Sequence, residues 1–387
     1  MTNSDSEWLS DRRDQWYAQF WEQEAGYHSE RLAVLDRGID RSPYADQIPE
    51  YGDRLKQAPQ LSAMGGQDYP LVGELPSIID EQALDFLHPD IKNACICVGG
   101  WHDGQFQGRW LGRNALEKVQ FWSSTKIFPL LNTLTQLTGA LEGLEIGDRH
   151  AYYPFEGILE DLVTYQEKYC SSNAIAATLK CFQTYLGLEQ WVKDLTGHRD
   201  LNFQGLYGEA PFTPTPQIVD LHNVRLSAVN ELKSRRTQPG ENLIPAYVLT
   251  RILSLVGWHH HLPEAAQIPG LESGKLQLLT SCLGKDTARF VDLAIHTLGI
   301  DIQNPIILSK MGFGYSSSRR RTEMTYTGFV QFEHQNQLNA LTLTLRGARA
   351  LNNPDQTERE NQEAIEIDAR MTTEITEIIR RFILNRL

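Results

Sequence analysis

The sequence predicts a mixed α/β (α+β) protein, with one sheet assembled from both ends of the chain and a helical region inserted between them. Three observations carry this expectation. Strand-like apolar runs lie at 94–98 and 105–110, and again at 305–309, 325–332 and 340–345. Helix-period segments dominate from about 127 to 200 and recur through 217–300. The last element carries Met371, Ile375, Ile378, Ile379, Phe382 and Ile383, which is one apolar helix face.

Taken in order, residues 1 to about 40 place Trp8, Trp16, Phe20, Trp21, Tyr27 and Leu32 at loosely helical spacing, an amphipathic helix or two packed onto something else. Residues 41–90 hold Pro43, Pro49, Pro59, Pro70, Pro76 and Pro89 with the Gly65-Gly66 pair, so this segment wraps a surface rather than forming a centre. The core begins near Ile91. Cys95 and Cys97 alternate with apolar residues in the first strand, which makes them buried thiols and not a metal pair. Gly99-Gly100 marks a turn region, a second strand follows, and a third element leads to Phe121-Trp122. A helix then starts close to Ser123, bent early by Pro129. The polar stretch 352–363 reads as a solvated loop. The expected division is thus a helical and irregular extension over 1–90 and a main domain over 91–387, with sheet from 91–122 and 300–387 and helices over 127–300. No internal repeat is visible.

Composition narrows the function. A chain of 387 residues buries enough surface to need no metal or disulfide staple. With 41% hydrophobic and 22% charged residues it is an ordinary globular protein. A net charge of −13 argues against nucleic-acid binding and against an anionic membrane surface. No apolar run reaches about 18 residues, the length needed to span a bilayer. The amino terminus is polar and acidic, without a secretory pattern, and the five cysteines suit a reducing compartment, so a cytoplasmic location is expected.

Three short motifs fall in one order: Ser123-Ser124-Thr125-Lys126, Ser171-Ser172-Asn173 and Lys310-Met311-Gly312. A Ser-x-x-Lys alone is expected about once by chance at this length. The ordered set Ser-x-x-Lys, Ser-x-Asn and Lys-x-Gly resembles the β-lactamase and penicillin-binding-protein (serine D,D-peptidase) superfamily, class A β-lactamases in particular. The resemblance covers roughly 91–387 and leaves the first 90 residues unexplained. It implies an antiparallel sheet flanked by helices with an inserted all-α subdomain, the Ser-x-x-Lys opening a helix and the Lys-x-Gly on a strand beside the cleft.

The residue types fit acyl transfer. A serine hydroxyl needs a base, and a desolvated lysine at i+3 beside other cations can serve as one. The resemblance makes Ser123 the acyl-enzyme residue and Lys126 its proton acceptor. It makes Ser171 the proton relay to the leaving group, and Asn173 the hydrogen-bonding partner of a substrate amide. It places Lys310 in the cleft, Gly312 where substrate meets backbone, and an oxyanion hole at the amides of Ser123 and Phe313. A surface Ser and Lys, and a helix N-cap at Ser171 and Asn173, are the plainer alternatives. Met311 replaces the usual Thr or Ser, and Arg319 to Arg321 stand just beyond as anion contacts or as an ordinary hairpin end. For deacylation Glu209 is the best-placed acid and His198 an alternative, though both also read as loop residues.

Trp258-His259-His260-His261 is expected to be a surface or interface cluster, since neighbouring helical histidines point about 100° apart. No nucleotide pattern, metal set or cofactor motif is present. The expected activity is a serine hydrolase or transacylase taking a small-molecule or peptide substrate. A glutaminase-like amidase, or a binding protein that keeps the fold with its extension over the cleft, are the alternatives.

Overall fold

The computed structural model describes residues 12–25, 39–57, 66–102, 105–139, 141–184, 186–220, 225–228, 242–335 and 337–387. Trp8, Tyr27, Leu32, Pro59 and Gly65 lie outside the described residues.

Helix α1 (Arg13–Ala25) precedes the short α2 (Tyr51–Arg54) and strand β1 (Gln67–Asp68). Strands β2 (Ile91–His102) and β3 (Gln105–Arg113) are followed by β4 (Val119–Gln120), a 3-10 turn (Trp122–Lys126) and α3 (Ile127–Gln136). Then come β5 (Glu145–Gly147), β6 (Tyr152–Pro154), α4 (Phe155–Thr164), α5 (Ser172–Lys180) and α6 (Gly187–Thr196). They lead to β7 (Asn202–Phe203), β8 (Gln217–Val219), β9 (Arg225–Ala228), β10 (Asn242–Ile244) and α7 (Ala246–Gly257). Helices α8 (Ser273–Gly284) and α9 (Phe290–Leu298) reach the closing strands β11 (Gln303–Ser316), β12 (Arg321–His334) and β13 (Gln337–Arg349), and α10 (Gln356–Ile383) ends the chain.

The main sheet runs β1-β3-β2-β13-β12-β11, antiparallel at every junction. It is built from both chain ends, as the strand-like runs imply. The inserted region is largely helical but also carries two small sheets, β4-β10-β7 and β6-β5-β8-β9.

Both faces of the sheet are buried, which is why β2 reads as a nearly continuous apolar run rather than as an alternating one. Cys95, Cys97, Ile306, Leu308 and Phe329 face α7 and the inserted helices. Ile96, Val98, Ile307, Val330, Leu341 and Leu343 face α9 and α10. Gly257, near the end of α7, shows how closely the first layer packs, because a Cβ there would fall inside the ring of Phe329. Alanine normally favours an exposed helix by about 1 kcal/mol over glycine. Here Gly257→Ala is expected to destabilise by about 1–3 kcal/mol instead, since the overpacking outweighs the propensity. A chemical-denaturation midpoint checks the sign.

Two sequence expectations are corrected at the ends of helices. The stretch 352–363 is not all loop: Asp355 caps α10, its carboxylate accepting from Glu358 N–H at 2.9 Å, and the helix then runs 28 residues, about 42 Å. Asp355 and Glu358 stay exposed, but Arg359 and Glu363 turn inward, the Glu363 carboxylate accepting from Thr322 N–H at 2.9 Å, and buried Ala364 leads into the apolar stripe of Ile367, Met371 and Ile375. Ser123 does not open an α-helix but sits in the 3-10 turn, and the α-geometry begins at Ile127. Pro129 therefore falls in the first turn of α3, where its missing N–H leaves no bond broken.

The described part of the N-terminal extension joins this body. Trp16 and Phe20 of α1 pack on Ala369 of α10. Strand β1 pairs with β3, and Leu84 and Leu87 enter the core under β2. Among the described residues no helix is long and apolar enough to cross a membrane.

Candidate active site

Strand β11 is an edge of the main sheet, and the turn that carries Ser123 lies against it. Gly312 makes that approach possible. A Cβ on Gly312 would stand 2.7 Å from the Ser123 amide nitrogen, 2.8 Å from that of Ser124 and 2.6 Å from Thr325 Oγ1. Ser124 Oγ lies 3.0 Å from the Lys310 carbonyl and 2.9 Å from Thr325 Oγ1, its one proton shared between these two acceptors, while Thr325 donates to the Phe121 carbonyl at 2.8 Å. The residues around Ser123 are thus tied to the sheet, whereas its own hydroxyl has no hydrogen-bond partner among the described residues and is partly exposed.

Lys126 lies beneath, 1% exposed, with Nζ donating to Ser172 Oγ at 2.7 Å. The Tyr165 and Tyr207 rings stand 5.8 and 5.7 Å from this amine. Burial holds the Lys126 ammonium well below the usual lysine range, and the nearby Lys310 charge pushes the same way; Glu209 and Glu167 pull it back. A buried amine that sheds its proton readily is what a general base requires.

The middle motif divides its work differently from the sequence expectation. Ser171 is the N-cap of α5, its oxygen accepting from Ala174 N–H at 3.1 Å, and its hydroxyl donates to Glu209. Asn173 donates to the other Glu209 oxygen at 3.0 Å. Ser172, one residue on and buried, is the serine that meets Lys126. The sequence offers a Ser-Ser doublet, and only the cap geometry decides which of the two turns inward.

Lys310 is also buried. Its ammonium donates to Tyr165 Oη and, at 3.1 Å, to the Met311 carbonyl, with Asp286 Oδ1 at 3.9 Å behind it. Burial pushes the Asp286 carboxyl up, opposed by the Lys310 charge and by the Ser309 hydroxyl, which donates at 2.8 Å. Tyr165 carries no recognisable motif. It comes into place because α4 ends on it in left-handed backbone (φ 56°), in a loop that Asp161 fastens by accepting from Lys168 N–H at 3.0 Å and Tyr169 N–H at 2.6 Å. The floor of the site is therefore Lys126, Ser172 and Lys310, and its partly exposed rim is Ser123, Tyr165, Ser171, Asn173 and Glu209.

The remaining expected residues fall elsewhere or act only through backbone. The Phe313 side chain packs toward the α9 and α10 side, so only its amide can face Ser123. The Arg319 guanidinium is taken by Glu323, at 2.8 and 2.9 Å, rather than left open for an anion. His198 stacks near Tyr247, with Asp200 and Lys118 as its charged neighbours, and meets none of the site residues. Of the histidine run, His259 is buried and is held down to about 4 by that burial and by His260, while His261 meets Trp101 edge-on. Among the described residues no group of three or more His, Cys, Asp or Glu is placed to hold a metal ion.

Among solved structures similar to this chain are class A β-lactamases. One from Bacteroides cellulosilyticus is 13% identical over 76% of this chain and 99% of its own, with a TM-score of 0.43. One from Mycobacterium abscessus is 14% identical over 75% and 96%, with a TM-score of 0.40. A mutant of the chromosome-encoded β-lactamase of Vibrio parahaemolyticus is 9% identical over 77% and 98%, with a TM-score of 0.43. No family model matches the chain, and no curated protein matches it.

Proposed function

We propose that this protein is a serine acyl-enzyme hydrolase or transacylase acting on a small amide, ester or peptide through Ser123. The observation that supports this most is the buried Lys126 amine, hydrogen-bonded to Ser172 beside a second lysine and one short turn from a serine hydroxyl that has no hydrogen-bond partner among the described residues. In the acylation step Ser123 Oγ attacks the carbonyl carbon, and its proton passes to neutral Lys126. The bond to the leaving amine or alcohol then breaks, and the proton returns from Lys126 through the Ser172 hydroxyl to the departing atom. Ser172 takes the relay role expected of Ser171, because Ser171 is committed to Glu209. The carbonyl oxygen is received by the Ser123 and Phe313 amides, and Lys310 supplies positive charge nearby. Deacylation needs a base for water, and Glu209 is held on the rim for that task by Ser171 and Asn173.

Intact-mass spectrometry after incubation with a fluorophosphonate and with a penicillin tests this. A single adduct that is lost in Ser123→Ala is expected. Glu209→Gln is expected to form the penicillin adduct and then keep it about 10²-fold longer. No adduct from either probe would sink the acyl-enzyme function and leave a non-catalytic binding protein.

The pH dependence has a defined sign. Labelling should rise with pH as Lys126 loses its proton, with a midpoint well below the usual lysine range. Removing the neighbouring charge in Lys310→Met favours the protonated Lys126 and moves that midpoint upward. A downward shift, or none, would mean that Lys126 is not the titrating base.

A further inference from the structure

Trp122, immediately before Ser123, has φ 48°. This left-handed conformation is disfavoured for any residue with a Cβ and persists only where its surroundings enforce it. Two contacts do so. The indole lies flat against the backbone of β11 at Gly314, where a Cβ would enter the ring. Its Nε1–H donates to Glu323 Oε2 at 3.1 Å. Glu323 is fully buried and held by three guanidinium groups: Arg319 at 2.8 and 2.9 Å, Arg321 at 2.8 Å and Arg346 at 2.6 Å. Arg346 is tied in turn to Asn93 Oδ1 at 3.0 Å, and Asn93 donates to Glu117 at 2.8 Å, so the carboxylate is braced across β12, β13 and β2. Glu323, Thr325 and Arg346 share the sheet face that meets the Ser123 turn, Thr325 and Arg346 being register partners.

We infer that Glu323 is a positioning residue for Ser123: clamped by three arginines, its carboxylate anchors the Trp122 indole and so holds the left-handed backbone that presents the Ser123 hydroxyl. The sequence Arg319-Arg320-Arg321 then has a task other than solvation or anion capture, since two of its arginines fix the anchor. The carboxyl is kept well below the usual glutamate range, at about 2, by its hydrogen bonds and charges from Arg319, Arg321 and Arg346, which outweigh the opposing desolvation. It therefore remains an anion through the neutral range, and the anchor does not slacken as the pH is raised.

The inference rests on Ser123 being the nucleophile, so its test has one readout that depends on labelling and one that does not. In the full chain, Trp122→Phe keeps an aromatic six-membered ring but removes the pyrrole ring with its N–H, and Glu323→Gln removes the charge. Both are expected to slow fluorophosphonate labelling of Ser123 about tenfold per folded molecule, the scale of a hydrogen bond to a charged group. The pH midpoint set by Lys126 should not move, and the double variant should be no slower than the slower single one. Hydrogen exchange followed by mass spectrometry should show faster exchange over 121–126 in each variant, with the protection of β2 and α10 unchanged. Wild-type labelling and exchange in Trp122→Phe, or effects that multiply in the double variant, would overturn the role of Glu323. If the unaltered chain takes no label at all, the acyl-enzyme function fails, and the exchange data alone still decide whether Glu323 holds the turn.

Discussion

Replacing Lys126 by methionine is expected to slow covalent labelling of Ser123 by about 10²–10⁴-fold, the usual contribution of a positioned general base. Methionine keeps the length and apolar volume of the side chain and removes only the amine. The same change is expected to leave the fold intact and stabilise it by about 1 kcal/mol. A buried amine beside the Lys310 ammonium is unfavourable, and its removal outweighs the single bond lost to Ser172. Labelling rate and Tm measured on one preparation check both halves. A drop in both would point to a structural lysine, whereas lost activity with retained or raised Tm marks a site that holds its base at the expense of stability.

Gly312→Ala is the second large effect. The added methyl meets the amide nitrogens of Ser123 and Ser124 and the hydroxyl of Thr325, at 2.7, 2.8 and 2.6 Å. Two of these neighbours are backbone, so no rotamer change relieves the clash, and the Ser123 turn must move away from β11. A cost of about 1–3 kcal/mol in stability is expected. Under the proposed mechanism labelling should fall by about 10²-fold, because a shift near 1 Å misaligns Ser123 with Lys126 and with the proposed oxyanion donors. Phe313→Leu, one residue along, serves as the control: its side chain faces the other layer, so it should change stability without a comparable loss of labelling per folded molecule.

How much of this site is legible in sequence can be judged residue by residue. Ser123, Lys126 and Lys310 are recoverable because motif order and spacing survive without coordinates. Glu209 is found by its place in a Pro-rich loop, yet nothing in that loop says that its carboxylate will meet Ser171 and Asn173. Ser172 is hidden by its neighbour: two serines stand at a helix start, and capping takes the first of them out to Glu209. Tyr165 is hidden more deeply, since it belongs to no motif and enters only through a left-handed helix end. Arg319 misleads in the opposite way, looking available as a cation although a buried carboxylate already holds it. The early polar part of α10 is missed because its inward-facing residues are the charged Arg359 and Glu363, whose partners Tyr315 and Thr322 only the fold supplies.

The amino-acid sequence by itself determines that this chain closes one sheet from its two ends, inserts a mainly helical region, and carries a serine, two lysines and an asparagine in an order suited to acyl transfer. Apolar periodicity and motif spacing are local properties, readable along the chain. Only the tertiary structure decides that Lys126 is buried against Ser172, that Lys310 lies near enough to lower its proton affinity, and that Glu323 reaches Trp122 across 201 residues of chain. Those contacts depend on which face each strand turns inward and on how the β11 edge meets the turn at Ser123. Proton affinities follow from burial and from neighbouring charge, and neither exists until the sheet and the inserted helices have closed on one another.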